Sequence, residues 1–262
     1  MQRPFLSVVI PAYNEARRLP GNLQKVLDFL RTQPYSFEVL VVDDGSSDDT
    51  VAQCQAIAQG DPCVTIIENP HYGKGYTVRT GMLAATGEIV LFTDADLSVP
   101  IEDVNTLLPW FERGYDLVFG SREGGGTSQR VGEPFYRHLM GRVFNTLVQL
   151  LAVRGVQDTQ CGFKAMRCEV AQDVFPRLLI HDGSQGPIDH PMVTAFDVEL
   201  LFLAQKVGYR LKEVPVQWFY GTESKVSALQ DSWRNLNDVL KVRWNDLRGR
   251  YNGIKRQATI RE

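Results

Sequence analysis

Two carboxylates separated by one small residue, Asp94-Ala95-Asp96, follow a short apolar run, Glu88 to Thr93. The run is biased toward β-branched and aromatic residues and reads as a buried strand of a parallel sheet. In open α/β sheets, ligands sit in the crevice outside the carboxyl ends of the strands. Two carboxylates placed there repel each other unless a cation or a proton intervenes. The chemistry they suit is a hard divalent ion, Mg²⁺ or Mn²⁺, bridging protein oxygens to phosphate. An isolated Asp-x-Asp is more often a helix cap beside a solvated carboxylate, but the stretches around this one favour the metal.

Pro11-Ala12-Tyr13-Asn14-Glu15 follows the first apolar run, where a dehydrogenase-type fold would carry a glycine fingerprint. Dinucleotide binding is therefore not expected. Tyr13 can stack on a base and Glu15 can accept from base or ribose. Val41-Val42-Asp43-Asp44-Gly45-Ser46-Ser47-Asp48-Asp49-Thr50 closes the second run, with Asp44 placed to accept from a nucleoside and Ser47 or Asp48 placed to cap a helix. His71-Tyr72-Gly73-Lys74-Gly75 opens a helix, where free amides and the Lys74 ammonium suit an anion. Gly120-Ser121-Arg122 ends a further run and offers a guanidinium to a diphosphate.

The elements that must hold these residues alternate. Strands are expected at Leu6–Ile10, Phe37–Val42, Val64–Ile67, Glu88–Thr93 and Tyr115–Gly120. Helices are expected between them at Leu19–Arg31, Thr50–Gln59, Gly75–Ala85 and Pro100–Arg113. This alternation predicts an α/β fold with a mostly parallel central sheet and helices on both faces. Beyond residue 121 the pattern changes. Glu123–Gly132 reads as a loop, Pro134–Val153 as an apolar helix, Cys161–Met166 as a strand and Phe196–Val207 as a helix. Arg210–Trp218 contains Pro215 and so reads as an edge strand. His181 to Pro191, with its glycines and prolines, reads as a lid or surface loop rather than a metal site. Ala228–Arg248 is an amphipathic helix, and the chain divides into a domain over 1–225 and a basic helix and tail over 226–262.

Composition bounds the partners. The 262 residues carry a net charge of −3, so no global basic field points to nucleic acid. The charge is uneven: residues 225–262 hold nine Lys/Arg against four Asp/Glu, and the remainder 19 against 27. The four cysteines lack metal-type spacing and read as reduced thiols of a cytosolic protein. No run of 18 apolar residues is present, and the start has no signal-peptide core. The expected location is cytoplasmic, peripheral on the cytoplasmic face of a membrane.

Taken in order and spacing, these segments resemble glycosyltransferase family 2 with its GT-A nucleotide-diphospho-sugar fold. Asp158-Thr159-Gln160-Cys161-Gly162-Phe163-Lys164, Phe196-Asp197-Val198-Glu199, Glu213-Val214-Pro215-Val216 and Ser224-Lys225 narrow the resemblance to the polyprenyl-phosphate glycosyltransferases of that family. It covers roughly residues 5 to 245. The resemblance implies that Pro11, Tyr13, Glu15 and Asp44 contact the nucleoside. It implies that Asp94 and Asp96 hold the metal, with Ala95 against the ribose-diphosphate. Lys74 joins the nucleotide-sugar set from its own glycine-rich turn. Arg122, Arg137 and Lys225 match positions that grip donor or acceptor phosphates, with Arg130 a further candidate, and Asp96, Arg122, Arg137 and Lys225 form the expected catalytic set. Ser98 stands where some relatives carry a metal-binding Gln, which leaves a third metal position to water.

The implied reaction is inverting transfer of a hexose, glucose from UDP-glucose before mannose from GDP-mannose, to a polyprenyl phosphate. Such an acceptor is largely dianionic at neutral pH and needs no general base. A soluble acceptor, and a non-catalytic sugar-nucleotide-binding protein, stay open as alternatives, as does a homo-oligomer. Two apolar helices with basic flanks, Pro134–Val153 and Ala228–Arg248, would supply contact with a membrane surface.

Overall fold

The computed structural model describes residues 3–123, 130–131, 151–180, 182–184, 186–188, 196–219 and 228–253, with backbone alone at 130–131 and 228–233. Nine strands and eight α-helices lie in these residues, with two 3₁₀ turns. The strands are β1 Leu6–Ala12, β2 Phe37–Asp44, β3 Val64–Asn69, β4 Ile89–Thr93, β5 Leu117–Ser121, β6 Arg130–Val131, β7 Phe163–Arg167, β8 Leu211–Pro215 and β9 Trp218–Phe219. The helices are α1 Leu19–Arg31, α2 Thr50–Gln59, α3 Lys74–Ala84, α4 Val104–Leu107, α5 Pro109–Glu112, α6 Cys168–Val174, α7 Phe196–Val207 and α8 Ala228–Leu247.

Seven strands form one sheet in the order β3-β2-β1-β4-β7-β5-β8. All neighbours are parallel except β7, which runs antiparallel to both β4 and β5. β1, β4 and β5 are buried along their whole length, which is why their sequences are mostly apolar rather than alternating. Successive residues still face opposite layers. Val9, Val42, Val90 and Phe92 pack with α3, α6, α7 and α8. Val8, Ile10, Val41 and Leu91 pack with α1, α4 and α5. Each fully buried Val or Leu contributes on the order of 1.5–3 kcal/mol, so the two layers together fix the register of the sheet.

The parallel α/β fold is as expected, and β8 is the sheet edge, as Pro215 predicts. The helix expected over Pro100–Arg113 is a 3₁₀ turn at Ile101–Asp103 followed by α4 and α5. Leu108 keeps helical dihedrals, but Pro109 has no N–H to donate and interrupts the ladder. The strand expected over Arg210–Trp218 divides into β8 and β9. Helix α6 was not expected. Val239 and Val242 bring α8 into the same core as α7. Most of the loop expected at Glu123–Gly132, most of the helix expected at Pro134–Val153, and the boundary at 225/226 lie outside the described residues. No helix among the described residues is long and apolar enough to cross a membrane.

Candidate functional site

The strand order reverses between β1 and β4: the chain builds outward from β1 to β2 and β3, then returns to add β4 on the other side. That is where ligands bind in sheets of this kind. Pro11–Glu15 leaves the end of β1, and Asp94–Asp96 leaves the adjacent end of β4.

The turn after β4 is tight. The Leu97 amide donates to the Asp94 carbonyl at 3.0 Å, and the Ser98 amide donates to Asp96 Oδ1 at 3.0 Å. Leu97 sits at φ 49°, an uncommon conformation for a leucine, and this turn aims both carboxylates outward. Ala95 is buried, and its carbonyl accepts from Asn22 Nδ2 of α1 at 3.0 Å. The side chains of Asp94 and Asp96 are 33% and 29% exposed, so both present oxygen to a ligand.

Cations already stand against them. Lys74, the first residue of α3, places Nζ 2.5 Å from Asp94 Oδ1. Partial burial works against its charge, but Asp94, Asp197 and Asp96 outweigh that and hold the ammonium above the usual lysine range. Arg18 pairs with Glu15 and reaches to 4.0 Å from Asp96 Oδ2. Two open hard-oxygen ligands whose charge attracts a lysine suit a divalent ion such as Mg²⁺ or Mn²⁺. Among the described residues no group of three or more His, Cys, Asp or Glu could hold a metal by itself. The remaining coordination would come from water or from a ligand's phosphates.

The loop after β1 is bound to the loop after β2. The Asn14 amide donates to Ser46 Oγ, the Glu15 amide to Thr50 Oγ1, and the Ser47 amide to Asn14 Oδ1. Asn14 itself sits at φ 53°, which asparagine tolerates. The polar run after β2 is explained by these ties and by Asp43, which accepts from the Ser46 amide and hydroxyl. Asp44 is nearly wholly buried. Its oxygens accept from the amides of Tyr72 and Gly73 and meet His71 Nδ1 at 2.8 Å. It organises the loop after β3, and Tyr13 lies flat on His71 with ring centroids 4.0 Å apart. The described parts of the 181–191 stretch lie against this loop: the Ile188 amide donates to the His71 carbonyl, and Gly183 abuts the Tyr76 ring.

Arg122 leaves β5 toward the same end of the sheet, but it is held there. Its Nε and Nη2 donate to both oxygens of Asp158 at 2.7 and 2.8 Å, and its amide donates to the same carboxylate. Asp158 has no exposure; burial alone would raise its carboxyl, yet the Arg122 guanidinium holds it well below the usual carboxylate range. The amides of Gln157 and Asp158 donate in turn to Glu213 of β8. Asp197, at the start of α7, meets the wholly buried Lys164 at 2.6 Å.

The family profile described as Glycosyl transferase family 2 matches residues 7–175. The chain belongs to this family. A dolichyl-phosphate β-glucosyltransferase of Drosophila melanogaster is 36% identical over 91% of this chain and 74% of its own length. Those of Homo sapiens and Dictyostelium discoideum are 34% and 33% identical over 93% and 94% of this chain, each across 76% of the relative. Among solved structures, glucosyl-3-phosphoglycerate synthase of Mycobacterium tuberculosis, complexed with Mn²⁺, UDP-glucose and phosphoglyceric acid, superposes with a TM-score of 0.62 at 20% identity over 92% of this chain and 80% of that one. A mannosyltransferase of Pyrobaculum calidifontis with GDP-Man and Mn²⁺ gives 0.59 at 21% over 95% and 65%. The architecture of this family 2 transferase is thus the GT-A fold.

Within the family 2 site, the structure brings Pro11, Tyr13, Glu15, Asp44, Lys74, Asp94, Ala95, Asp96 and Arg122 to one end of the sheet. Arg137 and Lys225 lie outside the described residues, as does the Arg130 side chain. Arg18, the His71–Asp44 contact and the Asp158 and Lys164 ties were missed from sequence. Each acts through a contact distant in the chain, apart from the Glu15–Arg18 pair at i,i+3, which a charge-pattern reading could have found.

Proposed function

We propose that this family 2 transferase moves glucose, with inversion, from UDP-glucose to a polyprenyl phosphate such as dolichyl phosphate. The observation that carries the reading is the pair of outward carboxylates, Asp94 and Asp96, at the switch point with Lys74 on Asp94. The relatives named above favour glucose and a dolichyl acceptor. Asp94 and Asp96 would hold Mg²⁺ or Mn²⁺, whose charge would offset that developing on the leaving diphosphate. Lys74 would add its charge to the same phosphates, and Tyr13 would offer its ring to the base. Arg122, fixed by Asp158, would line the diphosphate side. The acceptor phosphate is its own nucleophile, and Arg137 and Lys225 would hold it in line.

A membrane surface supplies the acceptor. On α8, Leu240, Trp244 and Leu247 are exposed on one stripe, with Arg248 over the Trp244 ring and Lys241 and Arg243 alongside. That composition supports peripheral contact with anionic lipid, on the cytoplasmic face in our reading.

The test is direct. With Mn²⁺ or Mg²⁺, UDP-glucose and a short polyprenyl phosphate in anionic vesicles, the protein should form a lipid-linked glucose. Asp96→Asn should lower that turnover by about 10³-fold with little change in unfolding midpoint. Arg137→Ala and Lys225→Ala should lower transfer far more than UDP binding. Transfer only from GDP-mannose, or only to a soluble acceptor, would replace this reading, and turnover in excess chelator would remove the metal from it.

A further inference from the structure

β7 runs antiparallel to β4, with Phe92 opposite Lys164 and Thr93 opposite Phe163. The next facing residues are therefore Asp94 and Gly162. A side chain at 162 would displace the Asp94 carboxylate: a Cβ there would lie 2.1 Å from Asp94 Oδ2, 2.5 Å from Cγ and 2.7 Å from Oδ1. Gly162 is not among the glycines with positive φ, so its missing side chain serves space rather than backbone conformation. The Asp94 carboxylate rests on the bare backbone of Gly162, with Lys74 on its Oδ1 side.

Lys164 underlies this seat. Its Nζ donates to the Cys161 carbonyl at 2.5 Å and to Asp197 Oδ1 at 2.6 Å, and lies 5.4 Å from the Phe92 ring centroid. The Cys161 carbonyl belongs to the peptide that leads into Gly162. A buried ion pair is a poor way to gain stability, because apolar side chains of similar volume often do as well or better. A carbonyl pinned by a buried ammonium, by contrast, fixes the height of the next residue.

We infer that Gly162 and the Lys164–Asp197 pair are positioning residues for Asp94. Lys164, neutralised by Asp197, holds the 161–162 peptide where the Asp94 carboxylate can lie over it and face a divalent ion beside Asp96. This rests on the metal reading above, and the test separates the two.

The full chain is titrated with Mn²⁺, alone and with UDP, by the paramagnetic signal of free Mn²⁺, and its thermal unfolding is followed. Gly162→Ala forces Asp94 to move by more than 1 Å to reach ordinary contact, so Mn²⁺ affinity should fall by about tenfold to a hundredfold. The double variant Lys164→Met/Asp197→Leu removes both charges together; it should fold and bind Mn²⁺ about tenfold more weakly. Adding Asp94→Ala to Gly162→Ala removes the clash and should recover the unfolding midpoint that Gly162→Ala loses. Failure of that rescue overturns the seat, whatever the metal does. Unchanged Mn²⁺ affinity in the double variant overturns the role of the pair. Wild-type protein that binds no Mn²⁺ with UDP present overturns the metal reading and leaves the rescue to decide the seat.

Discussion

The molecule contains two lysine–aspartate pairs of nearly equal length, 2.5 Å for Lys74–Asp94 and 2.6 Å for Lys164–Asp197. They differ in access to water. The first pair's side chains are 38% and 33% exposed, the second pair's 0% and 8%. An accessible pair is screened and holds loosely, so its members can exchange partners when a ligand arrives. A buried pair is locked: once either member loses the other, a charge is stranded in a medium that cannot solvate it. Identical chemistry therefore serves two ends. Lys74 is available to a ligand, whereas Lys164 is fixed as part of the frame on which Asp94 rests.

The largest effect expected from this contrast is on stability. Lys164→Met should cost about 3–5 kcal/mol, because Asp197 stays buried without its hydrogen-bonded partner and only the Lys74 charge is left to offset it. Lys74→Met, of the same chemistry at the accessible pair, should cost less than about 1 kcal/mol. Chemical unfolding of both variants measures the difference. Equal costs would mean that burial does not separate the two pairs.

The same contrast shows what sequence could and could not convey. Local features were legible. α1, α2 and α7 have the bounds expected from their apolar spacing, and the loops ending β1, β2 and β4 carry the residues expected at a nucleotide site. Contacts between distant residues were not. Arg122 looks like a free guanidinium in sequence, yet its partner Asp158 lies 36 residues on. Lys164 and Asp197 are 33 residues apart, and nothing in either segment announces the other. The seat at Gly162 depends on β7 entering the sheet antiparallel between β4 and β5, a reversal that strand–helix alternation does not encode. α6 was missed because Cys168–Val174 is short and has no side-chain cap to mark its start.

Asp158 sharpens the comparison on the acid side. Its bidentate tie to Arg122 resembles the Lys164–Asp197 pair in being buried at the carboxylate, and its folded-state carboxyl is held below the usual range. As pH falls, the unfolded chain therefore takes up this proton first. The stabilisation is complete above the ordinary aspartate range and is lost as pH drops below it. Wild-type protein should exceed Asp158→Asn by on the order of 2 kcal/mol near neutrality, and the gap should close below about pH 4. Unfolding curves that run parallel for the two proteins through that range would place the acid sensitivity elsewhere.

The smallest effect is the most informative about the accessible pair. Without nucleotide, Lys74 neutralises Asp94, so a divalent ion must displace an ammonium before it can use that oxygen. Lys74→Ala leaves the two carboxylates of the turn with less positive charge nearby, although Arg18 stays within 4.0 Å of Asp96. Affinity for Mn²⁺ alone should then rise, by about fivefold for a partly exposed pair worth up to about 1 kcal/mol. With UDP present the sign should reverse. The nucleotide supplies phosphate oxygens to the ion, Lys74 is released to the same phosphates, and the alanine variant lacks that contact. Mn²⁺ titrations of wild type and variant, with and without UDP, read both signs. Weaker binding of Mn²⁺ alone by Lys74→Ala would mean that the lysine does not occupy Asp94 in solution, and the division between an exchangeable and a fixed lysine would fail at its exchangeable end.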